Sequence, residues 1–125
     1  MSDEQKPRNY RDLIVWQRGM ELAKALYKMT GHFPTDERFG LVSQIRRAAV
    51  SVPSNIAEGQ ARKSTAEFVQ FISHAEGSLA ELDTQILLSR ELGYCAAVEF
   101  DSVTSGIVEL RKMLNALRRK LVTRH

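Results

Sequence analysis

The stretch FDSVTSGIVELRKMLNALRRKL, residues 100–121, has the clearest helical periodicity in the chain. Its apolar residues recur at alternating steps of three and four over three heptads, which places them on one face of an α-helix. A seam of this period favours left-handed supercoiled packing against other helices. The seam consists of Phe100, Val103, Ile107, Leu110, Leu114, Leu117 and Leu121.

Two upstream segments show the same period. The first begins after Asp12, and we expect its apolar stripe, with the Trp16 and Tyr27 rings, to face the core. The other opens with Ser64-Thr65-Ala66-Glu67, the pattern of a helix-capping box, and ends near Leu92-Gly93. The two stripes are Leu13, Trp16, Met20, Ala23 and Tyr27, and then Phe68, Ile72, Ala75, Leu79, Leu82 and Ile86, with Phe71 and Leu87 beside the latter.

A proline lies inside the remaining helical segment. Thr35 or Asp36 can cap this helix, and Gly59 suits a left-handed stop at its end. Pro53 removes one backbone donor, so the segment forms either one kinked helix or two helices. We favour the kink, because the apolar period continues through the proline along Leu41, Val42, Ile45, Ala48, Ala49, Val52 and Ile56.

Four amphipathic helices with short connectors predict an all-α, antiparallel up-down-up-down four-helix bundle. The bundle occupies residues 12–121, between a flexible N-terminal segment, 1–11, and a basic C-terminal tail, 122–125. Further apolar residues lie beyond the seams, which indicates either a wide core or a subunit interface. These residues are Ile14, Val15, Leu22, Val50, Leu87 and Leu88.

Positive charge is concentrated at the C-terminus. The chain has 18 Lys and Arg against 15 Asp and Glu, but residues 111–125 carry six basic residues and no acidic one. Such asymmetry indicates either a polyanion-binding surface or cations that favour the helix dipole. The candidate nucleic-acid contacts are Arg111, Lys112, Arg118, Arg119 and Lys120, together with Arg46, Arg47, Arg62 and Lys63.

Signatures of catalysis are missing from the sequence. No Glu is followed three residues later by His, which excludes the di-iron bundle pattern, and no glycine-rich phosphate loop occurs. The single cysteine, Cys95, cannot form an intramolecular disulfide and reads as a small buried hydrophobe. We therefore expect no enzyme, no catalytic residue, no metal and no cofactor. Because no apolar run could span a bilayer and residues 1–12 lack an apolar signal core, we expect a cytoplasmic protein.

The run SQIRRAAVSVPSNIAEG, residues 43–59, strongly resembles the family of proteins encoded in 23S ribosomal RNA intervening sequences. The resemblance continues through Glu67-Phe68, AEGSLAEL at residues 75–82, and Leu92-Gly93-Tyr94, and upstream through residues 13–16. It implies a four-helix bundle assembled as a ring, with five copies expected, and no established enzymatic activity. A more distant relative, the accessory protein of diversity-generating retroelements, is similar in fold and binds nucleic acid and a reverse transcriptase through a basic surface.

The motif residues Ser51, Pro53, Asn55, Glu58 and Gly59 admit two interpretations. They form either a ligand or partner site, or a network that bonds a neighbouring backbone or subunit. We predict a homo-oligomeric bundle with a scaffolding or nucleic-acid-binding role, RNA being favoured, and with a reverse transcriptase as a further conceivable partner. The alternatives are a DNA-binding helix-turn-helix at residues 48–57, with Pro53 in its turn, and a bundle that binds a small ligand or a protein without nucleic acid.

Overall fold

The computed structural model describes residues 9–123, which fold into four α-helices without a strand. The helices are α1 (Ile14–Thr30), α2 (Leu41–Gln60), α3 (Thr65–Glu91) and α4 (Ala97–Thr123). Single 3-10 turns lie at Tyr10–Asp12 and Thr35–Glu37. Residues 1–8 and 124–125, which include most of the predicted N-terminal segment and Arg124, lie outside the described residues.

The helix contacts form a closed square. Helix α1 packs against α2 and α4, and α3 packs against the same two helices, whereas the diagonal pairs do not approach each other. Since consecutive helices are neighbours joined by short connectors, they run antiparallel. The predicted four-helix bundle is confirmed.

The predicted stripes of α2, α3 and α4 form the core. All seven stripe residues of α2 are buried, as are Ile72, Ala75, Leu79, Leu82 and Ile86 of α3. In α4, four seam residues are buried, and Phe100, Leu117 and Leu121 pack against the core at its margin. Leu87, placed beside the α3 stripe, is instead 49% exposed.

The stripe predicted for α1 is partly wrong: Ala23 is buried and Leu13 packs against the core as expected, but other members of the stripe are not in the core. The buried face of α1 consists of Val15, Leu22, Ala23, Leu26 and Met29, so the helix is rotated relative to the prediction. Trp16 is half-buried at the core margin, while Met20 and Tyr27 are exposed. Helix α1 has two apolar faces of similar spacing, and periodicity alone does not distinguish the face that packs against the core.

Pro53 lies within an unbroken helix. Helix α2 continues through it from Leu41 to Gln60, which excludes a break into two helices. The ring packs against Gly19 of α1, where an added Cβ would lie 3.5 Å from the Pro53 Cβ. The chain reversal near Ser51 that a helix-turn-helix needs is therefore absent, and that alternative is wrong. A bend of the axis at Pro53 stays a prediction.

Several helix ends differ from the prediction. Thr35 and Asp36 form a 3-10 turn, and α2 begins later, where the Leu41 amide donates to Glu37 Oε1 at 3.1 Å. Helix α4 continues to Thr123, into the predicted tail. At the other end of the chain, Tyr10 and Arg11 belong to a 3-10 turn capped by Asn9.

The capping box of α3 is confirmed. The Glu67 amide donates to Ser64 Oγ at 3.1 Å, and Ser64 Oγ lies 3.1 Å from Glu67 Oε1. At the opposite end, Gly93 adopts φ +80°, and its amide donates to the Arg90 carbonyl. This left-handed glycine ends α3 where the sequence predicts it.

Gly59 does not end α2 in a left-handed conformation, as the sequence suggested. It lies inside the helix, and an added Cβ would stand 2.7 Å from Phe71 Cβ and 2.9 Å from Phe68 Cδ1. The glycine is needed because the backbone of α2 approaches α3 this closely.

We predict opposite effects for two helical glycines. Gly59→Ala should lower the free energy of unfolding by about 1–3 kcal/mol, because the methyl group overpacks the Phe68 and Phe71 contact. Gly77→Ala should raise it by about 0.5–1 kcal/mol, because Gly77 has open space around it and alanine favours the helix. Urea unfolding followed by far-UV circular dichroism measures both, and a Gly59→Ala variant as stable as wild type would contradict the packing argument.

Candidate nucleic-acid interface

The structure divides the predicted cationic residues between two regions. Arg46 and Arg47 lie near the start of α2, whereas Arg62 and Lys63 follow its end, about 22 Å further along the helix axis. Val122 of α4 lies beside Ser64, so the C-terminal half of α4 reaches the same end of the bundle as Arg62 and Lys63. We call this region the basic end: Arg62, Lys63, Arg111, Lys112, Arg118, Arg119 and Lys120.

The basic end carries a net positive charge. Residues 58–76 and 111–123 together contain seven Lys and Arg but only three glutamates. Each glutamate has a local partner: Glu58 pairs with Arg62, Glu67 bonds Ser64, and Glu76 pairs with Arg118. The remaining cations are therefore not neutralised by neighbouring carboxylates.

Arg118 is a structural residue rather than a free cation. Its guanidinium forms a two-point ion pair with Glu76 of α3, one bond being 3.1 Å, and also donates to Ser73 Oγ at 2.9 Å. Both charged side chains are about three-quarters buried. Bidentate geometry makes such a pair stronger than an ordinary surface ion pair, so Arg118 ties α3 to α4.

Arg62 is partly committed as well. It pairs with Glu58 at 3.8 Å, and its guanidinium carbon lies 4.9 Å from the Phe71 ring centroid. At the N-terminus of α3, the Glu67 carboxylate of the capping box accepts from Ser64 Oγ, so a negative charge of the protein itself already lies there.

Five cations of the basic end are exposed and have no ion pair within residues 9–123. Arg111 and Lys112 line a cleft of about 390 Å³ together with Asn115 and Glu76. Arg119 and Lys120 follow on the next turns of α4, and Lys63 lies on the adjoining loop. The exposed, unpaired set is Lys63, Arg111, Lys112, Arg119 and Lys120.

Arg46 and Arg47 have different roles although they are adjacent. Arg46 Nε donates to Thr30 Oγ1 at 2.9 Å, and its Nη2 donates to the Tyr27 carbonyl at 3.1 Å. Its guanidinium carbon also lies 4.6 Å from the Tyr27 ring centroid. Arg46 therefore stabilises the C-terminus of α1, where cations are favoured, while Arg47 is exposed.

The motif residues hold α2 in place within the protomer. Asn55 Nδ2 donates to the Ser51 carbonyl at 2.8 Å and to Ser51 Oγ at 2.9 Å. Ser51 Oγ lies 2.8 Å from Ser78 Oγ, which links the network to α3. Ser78 was not singled out from the sequence, although it lies within the family-like segment 75–82. Asn55 and Glu58 do not act together, because Glu58 faces Arg62 instead.

Groups capable of chemistry are dispersed. Burial raises the pKa of the Cys95 thiol, so little thiolate is present at neutral pH. His74 is exposed beside the Phe71 ring. Within residues 9–123, no three His, Cys, Asp or Glu side chains are grouped as a metal site would require. Nor does any helix in that range have the length and apolar character needed to cross a membrane.

We predict that Arg118 contributes to stability and that its neighbour does not. Arg118→Gln should lower the free energy of unfolding by about 1–2 kcal/mol, because it leaves Glu76 without its charged partner. Arg119→Gln, the matched control at an unpaired position, should change it by less than about 0.5 kcal/mol. A double-mutant cycle with Glu76→Gln, measured by urea unfolding, checks the coupling; a coupling energy of zero would contradict the assignment.

Comparison with known proteins places the chain. One crystal structure with the same fold is a protein of unknown function from the S23 ribosomal protein family of Bacteroides thetaiotaomicron, with a TM-score of 0.76. It is 22% identical, and the match covers 84% of this chain and 98% of that chain, so the likeness shows the fold alone. No curated protein matches the chain.

The family profile described as 23S rRNA-intervening sequence protein matches residues 11–116. These limits take in all of α1, α2 and α3 and most of α4. The match confirms the resemblance carried by residues 43–59 and 75–82. The chain belongs to the 23S rRNA-intervening sequence protein family.

Proposed function

We propose that this protein is a non-enzymatic, homo-oligomeric bundle that binds RNA through the basic end. The observation that supports this most directly is that five exposed, unpaired cations lie along the C-terminal half of α4 and on the adjoining α2–α3 loop. A cation that already has a carboxylate partner gains little free energy by contacting a phosphate. These five cations have no such partner within residues 9–123, so each is free to neutralise a phosphate.

Binding by this surface is driven by counterion release. Each phosphate that a Lys or Arg neutralises releases condensed counterions, so affinity falls steeply as salt rises. None of the five cations is paired with an accessible aromatic ring, and base stacking plays no part in this contact. The basic end therefore reads the backbone and shape of a duplex rather than its sequence.

Two exposed apolar patches support self-association. The α1–α2 patch comprises Trp16, Met20, Tyr27 and Val50, and all four residues line a cleft of about 540 Å³. The α3 patch comprises Leu87 and Leu88, which are 49% and 48% exposed. Patches of this kind on a soluble bundle mark interaction surfaces.

The positions of the patches suit a closed ring. Helices α1 and α3 are diagonal in the bundle, so their outward faces point away from each other. A head-to-tail contact joins two different patches, and it closes into a ring when the rotation between copies permits. The expected five copies, at 14.2 kDa each, correspond to about 71 kDa.

We predict that two free cations of the basic end contribute to RNA binding. Arg119→Gln with Lys120→Gln should weaken binding of a short RNA duplex about tenfold at low salt, because phosphate contacts are lost. The slope of log affinity against log salt should fall by about 1 for each cation removed. Fluorescence anisotropy over a salt series measures both quantities.

The matched control removes one Lys and one Arg from the opposite end of the bundle. Lys28→Gln with Arg90→Gln gives the same change in net charge, and both residues are exposed. Its duplex affinity should stay within about twofold of wild type. No duplex binding by the wild-type protein at low salt, or an equal loss in both variants, would refute the role of the basic end.

A second prediction concerns assembly. Val50→Glu should dissociate the oligomer, because it places an unpaired carboxylate in the α1–α2 patch. Val108→Glu is the control. Val108 is 49% exposed, similar to the 44% of Val50, but it lies outside both patches. Light scattering coupled to size-exclusion chromatography measures the mass; a wild-type protein that runs only at 14.2 kDa would refute the proposal.

A further inference from the structure

A second cationic region lies at the opposite end of the bundle from the basic end. The start of α2 and the turn that precedes it form a cleft of about 660 Å³ against the end of α1. We call it the arginine cleft; its charged and aromatic residues are Tyr27, Arg38, Phe39, Arg46 and Arg47. No acidic side chain is among the residues that line it.

Phe39 is the least buried of the large hydrophobic residues in the described part of the chain. It is 89% exposed, although a phenylalanine gains more from burial than most residues. It belongs to none of the four helical stripes and contributes nothing to the core. The Arg38 guanidinium carbon lies 5.5 Å from the centroid of the Phe39 ring, so a cation and an aromatic ring are adjacent and both accessible to solvent.

Two further arginines of the cleft differ: Arg46 is held in place by hydrogen bonds, and Arg47 is unpaired in the described part of the chain. Arg46 is held by Thr30 and the Tyr27 carbonyl, and it positions the Tyr27 ring at the rim of the cleft. Arg47 is exposed and makes no ion pair within residues 9–123. The cleft thus combines an accessible aromatic ring with two unpaired guanidinium groups, those of Arg38 and Arg47.

We propose that the arginine cleft binds unpaired nucleotides of single-stranded RNA. A base stacks on Phe39, and the flanking phosphates are neutralised by Arg47 and Arg38. Aromatic rings and guanidinium planes are the groups on which proteins stack splayed-out bases, and stacking tolerates any base. This inference extends the proposed function, because it adds a contact for single strands to the duplex contact of the basic end.

Charge and base stacking together favour this occupant over a second copy of the chain. A second copy seated in the cleft would enclose unpaired guanidinium groups, which is costly unless it supplies matching carboxylates. The apolar patch available for such a contact, Leu87 and Leu88, has the exposed Asp83 and Glu91 one turn to either side on α3, but it contains no planar ring to stack on Phe39. A nucleic acid strand supplies the required negative charge and the planar ring in one ligand.

The test uses a fluorescein-labelled oligoadenylate and, separately, a short RNA duplex, with anisotropy as the readout. Phe39→Ala should weaken oligoadenylate binding about tenfold, because it removes the stacking ring. Arg47→Gln should lower the slope of log affinity against log salt by about 0.7, the value for one phosphate contact with a single strand. Neither change should alter duplex affinity.

The matched control is Val98→Ala, which truncates another largely exposed hydrophobic residue, 80% exposed, at the first turn of α4. It should leave oligoadenylate affinity unchanged. Equal affinities for Phe39→Ala and wild type would overturn the proposal. So would a Phe39→Ala variant that lowers the oligomer mass in light scattering without weakening oligoadenylate binding, because Phe39 would then be a subunit contact.

Different results would refute the proposal for the arginine cleft and the proposal for the basic end. Wild-type protein that binds the duplex but not oligoadenylate refutes the arginine cleft and leaves the basic end standing. The reverse result refutes the basic end and supports the cleft. As a direct readout, ultraviolet crosslinking of oligoadenylate followed by mass spectrometry should recover the peptide that contains Phe39; recovery of peptides from α4 alone would overturn the assignment.

Discussion

The close packing of α2 against α3 determines where the charged surfaces of this bundle lie. At Gly59 the two helices approach so closely that even a methyl group would touch Phe71 at 2.7 Å. One and two turns earlier, the Asn55, Ser51 and Ser78 side chains form a polar link between the same helices. Because this contact fixes the α2–α3 loop, it also fixes Arg62 and Lys63 beside the end of α4.

Ion pairing then separates the cations that stabilise the fold from the cations that have no partner in the described part of the protein. Arg118 is engaged by Glu76 and Arg46 by acceptors at the end of α1, whereas Arg62 is only partly engaged, by Glu58 and the Phe71 ring. A guanidinium that already satisfies its donors within the protein has little left for a phosphate. Charge counting along the chain overstates the binding surface, and the relevant set is the smaller group of cations that the fold leaves without partners.

The four helices can be predicted from the sequence, but the buried face of each helix cannot always be predicted. The stripe of α2 was predicted residue by residue, since its apolar positions have no competing period. In α1 the competing face containing Met20 and Tyr27 misled the prediction, because periodicity does not say which of two apolar faces has a neighbour. The Ser64 capping box was predictable from four residues, as the whole interaction is local.

The candidate site was less predictable, because it depends on contacts between distant residues. Arg118 and Glu76 are 42 positions apart, and neither local sequence contains a pattern that predicts their ion pair. The exposure of Phe39 is not predicted, because Phe39 lies in the connection before α2, where helical periodicity gives no information about burial. Its absence from every helical stripe was the available signal.

The patch proposed for assembly and the cleft proposed for RNA binding share a boundary on this molecule. Tyr27 and Val50 line both the α1–α2 patch and the arginine cleft. A second copy that covers Met20 and Trp16 would reach the edge of the cleft, so its side chains would alter the contacts available to a bound strand. Sites that share residues are thermodynamically linked, and the coupling acts equally in both directions. In a ring with a copy seated at each patch, RNA bound in the clefts would therefore strengthen or weaken the assembly according to the charge that the neighbouring copy places at that edge.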